Sequence, residues 1–119
     1  MPHFILHCST DILEIHSIDT INQAVSMMAG DSGLFEIADI KVRVDSYDKY
    51  LVGHEKVPFI HVFSHIMQGR TVSQRQNLSQ TIVRGLATMF PKVSNIAMNI
   101  YEFEKSTYCN TKMLEHEVF

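Results

Sequence analysis

The sequence predicts an α+β fold in which two β-α-β units build one four-stranded sheet with two helices on one face. Three observations predict it. Runs with the two-residue period of a strand alternate with stretches of helical spacing, in the order strand, helix, strand, strand, helix, strand. The stretch "PHFILHCS" at 2–9 resembles "PFIHVFSH" at 58–65, and each precedes a helix and a strand, so an internal repeat of roughly 56 residues is expected. Each helix also carries one apolar stripe, and a sheet covered by both helices on one face buries both stripes.

"PHFILHCS" is a short apolar run and reads as the first strand. "STDILEIHS" follows as a connection of mixed character. From Ser17 the spacing turns helical: Ile18, Ile21, Val25 and Met28 recur on one side, and Gly30 with Gly33 supply a stop. Ser17 stands where an N-cap is expected and Asp19 in the first turn. "ADIKVRVDSY" at 38–47 alternates, with Ile40, Val42 and Val44 on one side and Lys41, Arg43 and Asp45 on the other. A polar turn containing Gly53 spans 46–57.

"PFIHVFSHIM" at 58–67 is the third strand, with Ile60, Val62 and Ile66 opposed to Phe59, His61, Phe63 and His65. In "GRTVSQRQ" the pair Thr71 and Gln74 fits a capping box. Leu78, Ile82, Leu86 and Met89 form the stripe of the helix it starts, and Pro91 ends it. Ile96, Met98 and Ile100 alternate along a last strand over 93–104. The remaining tail is polar with scattered apolar residues and reads as irregular, ordered against a neighbouring subunit.

The chain of 119 residues is expected to be a single domain, with repeats at about 2–47 and 58–103 and a tail at 104–119. Ten basic and thirteen acidic residues leave a net charge of −3, with no basic stripe of the kind that holds nucleic acid. No apolar run approaches the ~18 residues of a membrane span, and the N-terminus lacks the basic and apolar regions of a signal peptide. The isolated cysteines Cys8 and Cys109 suit reduced thiols in a cytoplasmic protein. The polar and basic face of the second strand leaves one side of the sheet without helical cover, so self-association or a ligand site is expected there.

Four sets of residues carry candidate chemistry. Pro2 heads the first strand, where a proline costs no ladder hydrogen bond. A small residue at position two usually lets the initiator methionine be trimmed, and Pro2 then becomes a free secondary amine. A terminal amine has an ordinary pKa near ~8, and burial or nearby cations lower it toward the range of a general base. With Met1 attached, the Pro2 nitrogen is an amide whose lone pair is delocalised, and it has no basicity to offer.

The basic residues Lys41, Arg43, Arg70, Arg75 and Arg84 form the second set. Solvated surface charge is the bland reading, and it suits Arg84 in mid-helix. Arg70 differs: it stands at the junction of a strand end, a glycine and a helix start, where an arginine can grip a carboxylate bidentately. The third set is His3, His7, His61 and His65, each pair sharing a strand face at a spacing of four. Hydrogen-bonded, half-buried histidines are the plainer reading than a metal site, since no carboxylate or cysteine stands at supporting spacing. The last is Cys8 paired with a histidine, for which no local context supplies activation.

The opening "MPHFILHCS", the strand "ADIKVRVDSY" and the junction "GRTVSQRQ" together resemble the 5-carboxymethyl-2-hydroxymuconate isomerase family of the tautomerase superfamily, over about residues 2–103. The resemblance implies a tautomerase-like fold, two β-α-β units per chain, and a homotrimer with the sheets facing inward. It implies Pro2 as the catalytic base, acting on a 2-hydroxymuconate-type polyanion without metal or organic cofactor. Arg70 matches a family arginine that binds this small anionic substrate, and Lys41 and Arg43 match two further basic positions. The family pattern has arginine at both. Lys41 keeps the charge and loses the planar fork, a departure that bears on which substrate fits more than on the chemistry.

Two readings from other classes compete. A non-catalytic trimer of the same fold would bind dicarboxylates without turnover. A ferredoxin-like binding module shares the β-α-β-β-α-β order and differs in strand order.

Overall fold

The computed structural model describes residues 1–115. Its sheet has four strands: β1 (His3–Ser9), β2 (Lys41–Tyr47), β3 (Phe59–Met67) and β4 (Asn95–Phe103). They lie in the order β2-β1-β3-β4. β1 runs parallel to β2 and antiparallel to β3, and β3 runs parallel to β4. Each half is therefore a β-α-β unit whose two strands touch. In the split unit of the ferredoxin-like fold another strand lies between them, so that arrangement is excluded.

Two long helices, α2 (Ile18–Asp31) and α3 (Val72–Met89), follow β1 and β3. The caps expected from sequence are in place. Ser17 accepts from the Thr20 N–H, and Thr71 and Gln74 form both bonds of a capping box. The α3 stripe is buried as expected through Leu78, Ile82 and Leu86. The α2 stripe is Ile21, Val25 and Ala29, while Ile18 lies 40% exposed.

Phe4, Leu6 and Cys8 of β1 and Ile60, Val62 and Ile66 of β3 face the helices and are buried. Val42, Val44, Ile96, Met98 and Ile100 of the edge strands pack against the same core. The two helices approach closely at Gly85, where a Cβ would lie 2.0 Å from Met28 Sδ.

The internal repeat has a geometric counterpart. Pro58 stands 56 residues after Pro2, and the same offset relates Leu6 to Val62. Leu6 and Val62 are direct partners across the β1–β3 ladder, so the pseudo-two-fold axis passes through that pair.

Three details differ from the sequence reading. "STDILEIHS" contains one helical turn, α1 (Ile12–Ile15), with Ile12 buried. A 3-10 turn over Ile37–Asp39 precedes β2, which starts three residues later than the alternation suggested. The tail forms a short helix, α4 (Thr111–Leu114), and through Asn110 it touches Met1 of its own chain. Tail residues 116–119 lie outside the described residues.

Candidate active site

The open face of the sheet presents the odd-numbered residues of β1 and β2. His3 lies opposite Lys41 and His65, and His7 opposite Asp45 and His61. The four histidines are each engaged. Nδ1 of His3 lies 3.1 Å from Nη1 of Arg43, and Nδ1 of His7 lies 2.7 Å from the Tyr47 hydroxyl. His61 bonds Asn99 through Nε2, and His65 stacks on Tyr101 at 5.0 Å. Among the described residues, no three His, Cys, Asp or Glu side chains are grouped to hold a metal ion. Cys8 is buried, and burial followed by the Asp11 charge pushes its thiol up to about 11, so it stays protonated at neutral pH.

At the β1 start, the sheet opens into a cleft of about 240 Å3 lined by Met1, Pro2, the 33–36 turn, Asp39 and Arg70. Pro2 is buried, and its carbonyl accepts from the Lys41 N–H at 3.0 Å. The parallel β1–β2 ladder thus begins at this proline and fixes where the chain terminus points. The turn that forms the opposite wall follows α2. Gly33 takes φ 73° there, a left-handed conformation that favours glycine.

Arg70 ties the wall together. Its Nη2 donates to the Leu34 carbonyl at 2.7 Å and its Nη1 to the Met67 carbonyl at 3.1 Å. The guanidinium lies 5.1 Å from the centre of the Phe35 ring. These bonds use two of the five N–H donors of a guanidinium, so the group retains donors and its full charge. Arg70 therefore both holds the 34–35 turn and contributes positive charge to the cleft.

The terminal amine enters the same space. It donates to the Asp39 carbonyl at 3.0 Å and lies 4.0 Å from the Asp39 carboxylate. The Lys41 ammonium donates to that same carbonyl at 3.1 Å. Burial pushes the amine below its ordinary value of 8.0. The Asp39 carboxylate opposes this shift, and the Lys41 and Arg70 charges reinforce it.

A family model described as 5-carboxymethyl-2-hydroxymuconate isomerase matches residues 2–116. The chain belongs to this isomerase family. The 5-carboxymethyl-2-hydroxymuconate Delta-isomerase of Escherichia coli is 26% identical over 106 residues, which are 87% of this chain and 84% of that one. A solved 5-carboxymethyl-2-hydroxymuconate isomerase from Deinococcus radiodurans superposes with a TM-score of 0.78 at 18% identity, covering 92% of this chain and 88% of that one. A fused 4-OT described as an asymmetric trimer superposes with a TM-score of 0.77 at 10% identity, covering 92% of each chain. The fold is thus that of the tautomerase superfamily, as the family resemblance implied. No helix among the described residues is long and apolar enough to cross a membrane.

Of the four site residues singled out from sequence, Pro2 and Arg70 line one cleft. Lys41 reaches its edge through Asp39. Arg43 stands two residues further along β2 on the open face, paired with His3 rather than lining the cleft. Sequence reasoning missed Glu36 and Asp39, the acidic residues of the cleft, and the 34–35 turn that Arg70 clamps. Gly33 marked that turn as a helix stop without showing that it folds back over the chain terminus.

Proposed function

We propose that this isomerase is cofactor-free and converts a 2-hydroxymuconate-type dienol polycarboxylate to its 2-oxo isomer by proton transfer through Pro2. The observation that carries the reading is the placement of the chain terminus. A terminal amine sits in a cleft beside Arg70 and Lys41, and burial lowers its proton affinity. Removal of Met1 moves the amine one residue inward, to a buried secondary nitrogen with the same cations beside it.

The steps balance without an external reactant. The neutral Pro2 nitrogen takes the proton of the 2-hydroxyl group. The electron pair moves along the conjugated chain, the 2-oxo group forms, and a distant carbon takes the proton back from the Pro2 ammonium. Arg70 and Lys41 hold the carboxylates and stabilise the negative charge that develops on the 2-oxygen. Arg43 contributes positive charge along the approach to the cleft.

The same reading makes the active protein a homotrimer. In support, the helix-free face carries half-exposed apolar residues such as Ile5 and Phe63, and β2 and β4 leave two unpaired edges. Association would cover this face and these edges.

The test is the intact mass of the native protein and an assay of dienol ketonisation on the same sample. Turnover in protein lacking Met1, lost in Pro2→Ala, is the expected result. Full activity in Pro2→Ala overturns the mechanism. Dicarboxylate binding without turnover in protein lacking Met1 selects the non-catalytic reading.

A further inference from the structure

The tail beyond β4 returns to Met1, which lines the cleft. Gln68 anchors it on both sides of Glu104: its N–H donates to the Phe103 carbonyl at 3.0 Å, and its side-chain oxygen accepts from the Lys105 N–H at 2.7 Å. Tyr108 then stacks on Phe103 with ring centres 5.3 Å apart. This brings Asn110 against Met1, with the amide nitrogen 3.7 Å from the methionine sulfur.

The orientation of that amide follows from its neighbours. Asn110 is the N-cap of α4, and its Oδ1 accepts from the Met113 N–H at 3.0 Å. A backbone N–H needs an acceptor there, so the oxygen faces the helix and Nδ2 faces Met1. Nδ2 has two weak partners, the thioether sulfur and the Tyr108 hydroxyl at 3.5 Å. Met1 therefore bridges two features: its amine end lies in the cleft with Pro2 and Arg70, and its sulfur end lies on Asn110.

We propose that Asn110 is a substrate-binding residue of this cleft: its side-chain amide donates to a carboxylate or oxo oxygen that occupies the space vacated by Met1. The assignment rests on the Pro2 reading above. Removing Met1 takes away one of the two acceptors of Nδ2 and joins the tail to the cleft. Arg70 lines the cleft and Lys41 reaches its edge, so an anion held there meets two positive charges beside the Asn110 donor. The tail thereby sets which polycarboxylates fit.

Asn110→Asp separates binding from capping. Aspartate caps a helix as well as asparagine does, and it replaces the donor with a charged acceptor. Asn110→Ala removes both functions. Each variant, with Met1 removed and confirmed by mass, is assayed for dienol ketonisation and for binding of the unreactive dicarboxylate cis,cis-muconate. A rise in KM and in the muconate Kd of about 10- to 100-fold in Asn110→Asp, at least as large as in Asn110→Ala and with kcat less affected, is expected. Wild-type KM in Asn110→Asp, whether or not Asn110→Ala is impaired, overturns the assignment. Pro2→Ala keeps the two ideas apart: lost turnover there with wild-type kinetics in Asn110→Asp removes only the role of Asn110. Wild-type protein lacking Met1 that neither turns over the dienol nor binds muconate overturns both.

Discussion

Nη1 of Arg43 lies 3.1 Å from Nδ1 of His3. A guanidinium only donates, so Nδ1 must accept and the ring proton sits on Nε2. The contact requires neutral histidine. Burial, then the Arg43 and Lys41 charges, hold His3 below its ordinary value of 6.5. The unfolded chain therefore binds this proton more readily than the folded one. The His3 contribution to stability is complete above pH 6.5 and falls as the pH drops below it. His3→Gln keeps an acceptor for Arg43 and does not titrate. Urea unfolding at pH 7.5 and pH 5 should show a smaller acid loss in that variant than in wild type.

The pH profile of turnover carries the signature of the base. The terminal amine is held below 8.0 here, chiefly by burial, and a buried Pro2 nitrogen beside the same cations is expected to share that direction. In the proposed mechanism the neutral form is the active one. The log of kcat/KM should rise with pH to a plateau, and the midpoint of that rise should move upward when Lys41 is replaced by glutamine. A midpoint unmoved by that replacement would show that the Lys41 charge does not tune the amine.

Arg70 serves both the wall and the charge, so its loss should have two effects. Arg70→Ala frees the Leu34 and Met67 carbonyls and should cost about 1–3 kcal/mol of stability, read as a lower Tm. It should also lower kcat/KM by about 100- to 1000-fold if the guanidinium stabilises developing charge. Arg70→Lys restores the charge without the fork. It should recover part of the rate and little of the stability.

Gly85 and Met28 form a pair whose coupling has a definite sign. A Cβ at Gly85 would sit 2.0 Å from Met28 Sδ, so Gly85→Ala must displace the methionine. The expected cost is about 1–2 kcal/mol, limited because the methionine side chain is flexible. In a Met28→Ala background the clash is gone and the helix propensity of alanine remains. Gly85→Ala should then stabilise by about 0.5–1 kcal/mol. Equal effects in both backgrounds would show that the two residues do not determine the helix approach.

Local patterns made most of the fold legible. The alternation of Val42, Val44 and Lys41, Arg43 named both faces of β2. The spacing of Leu78, Ile82 and Leu86 named the buried side of α3, and Thr71 with Gln74 named its start. Of the candidate site, the sequence singled out Pro2 and Arg70 by their positions at a strand head and a strand–helix junction, and both line the same cleft. The site was not legible where function depends on contacts distant in sequence. Nothing local to Leu34 says that its carbonyl will receive Arg70, and nothing near Met1 says that Asn110 will meet its sulfur 109 positions away. The α4 cap did leave a trace, since asparagine before "TKML" is a common helix start.

The two-fold relation between the halves has a numerical consequence. Pro58 occupies in the second unit the place that Pro2 occupies in the first, at the head of a central strand. Its nitrogen is bonded to Val57 and belongs to a peptide, so no processing at the chain terminus can make it an amine. Joining two units in one chain therefore halves the number of terminal amines per unit. A complex of six such units built from three chains has three positions for this chemistry where six separate units would have six. The second unit is thereby released from serving the terminus, and its corresponding corner, around Pro58 and Asn95, is free to diverge.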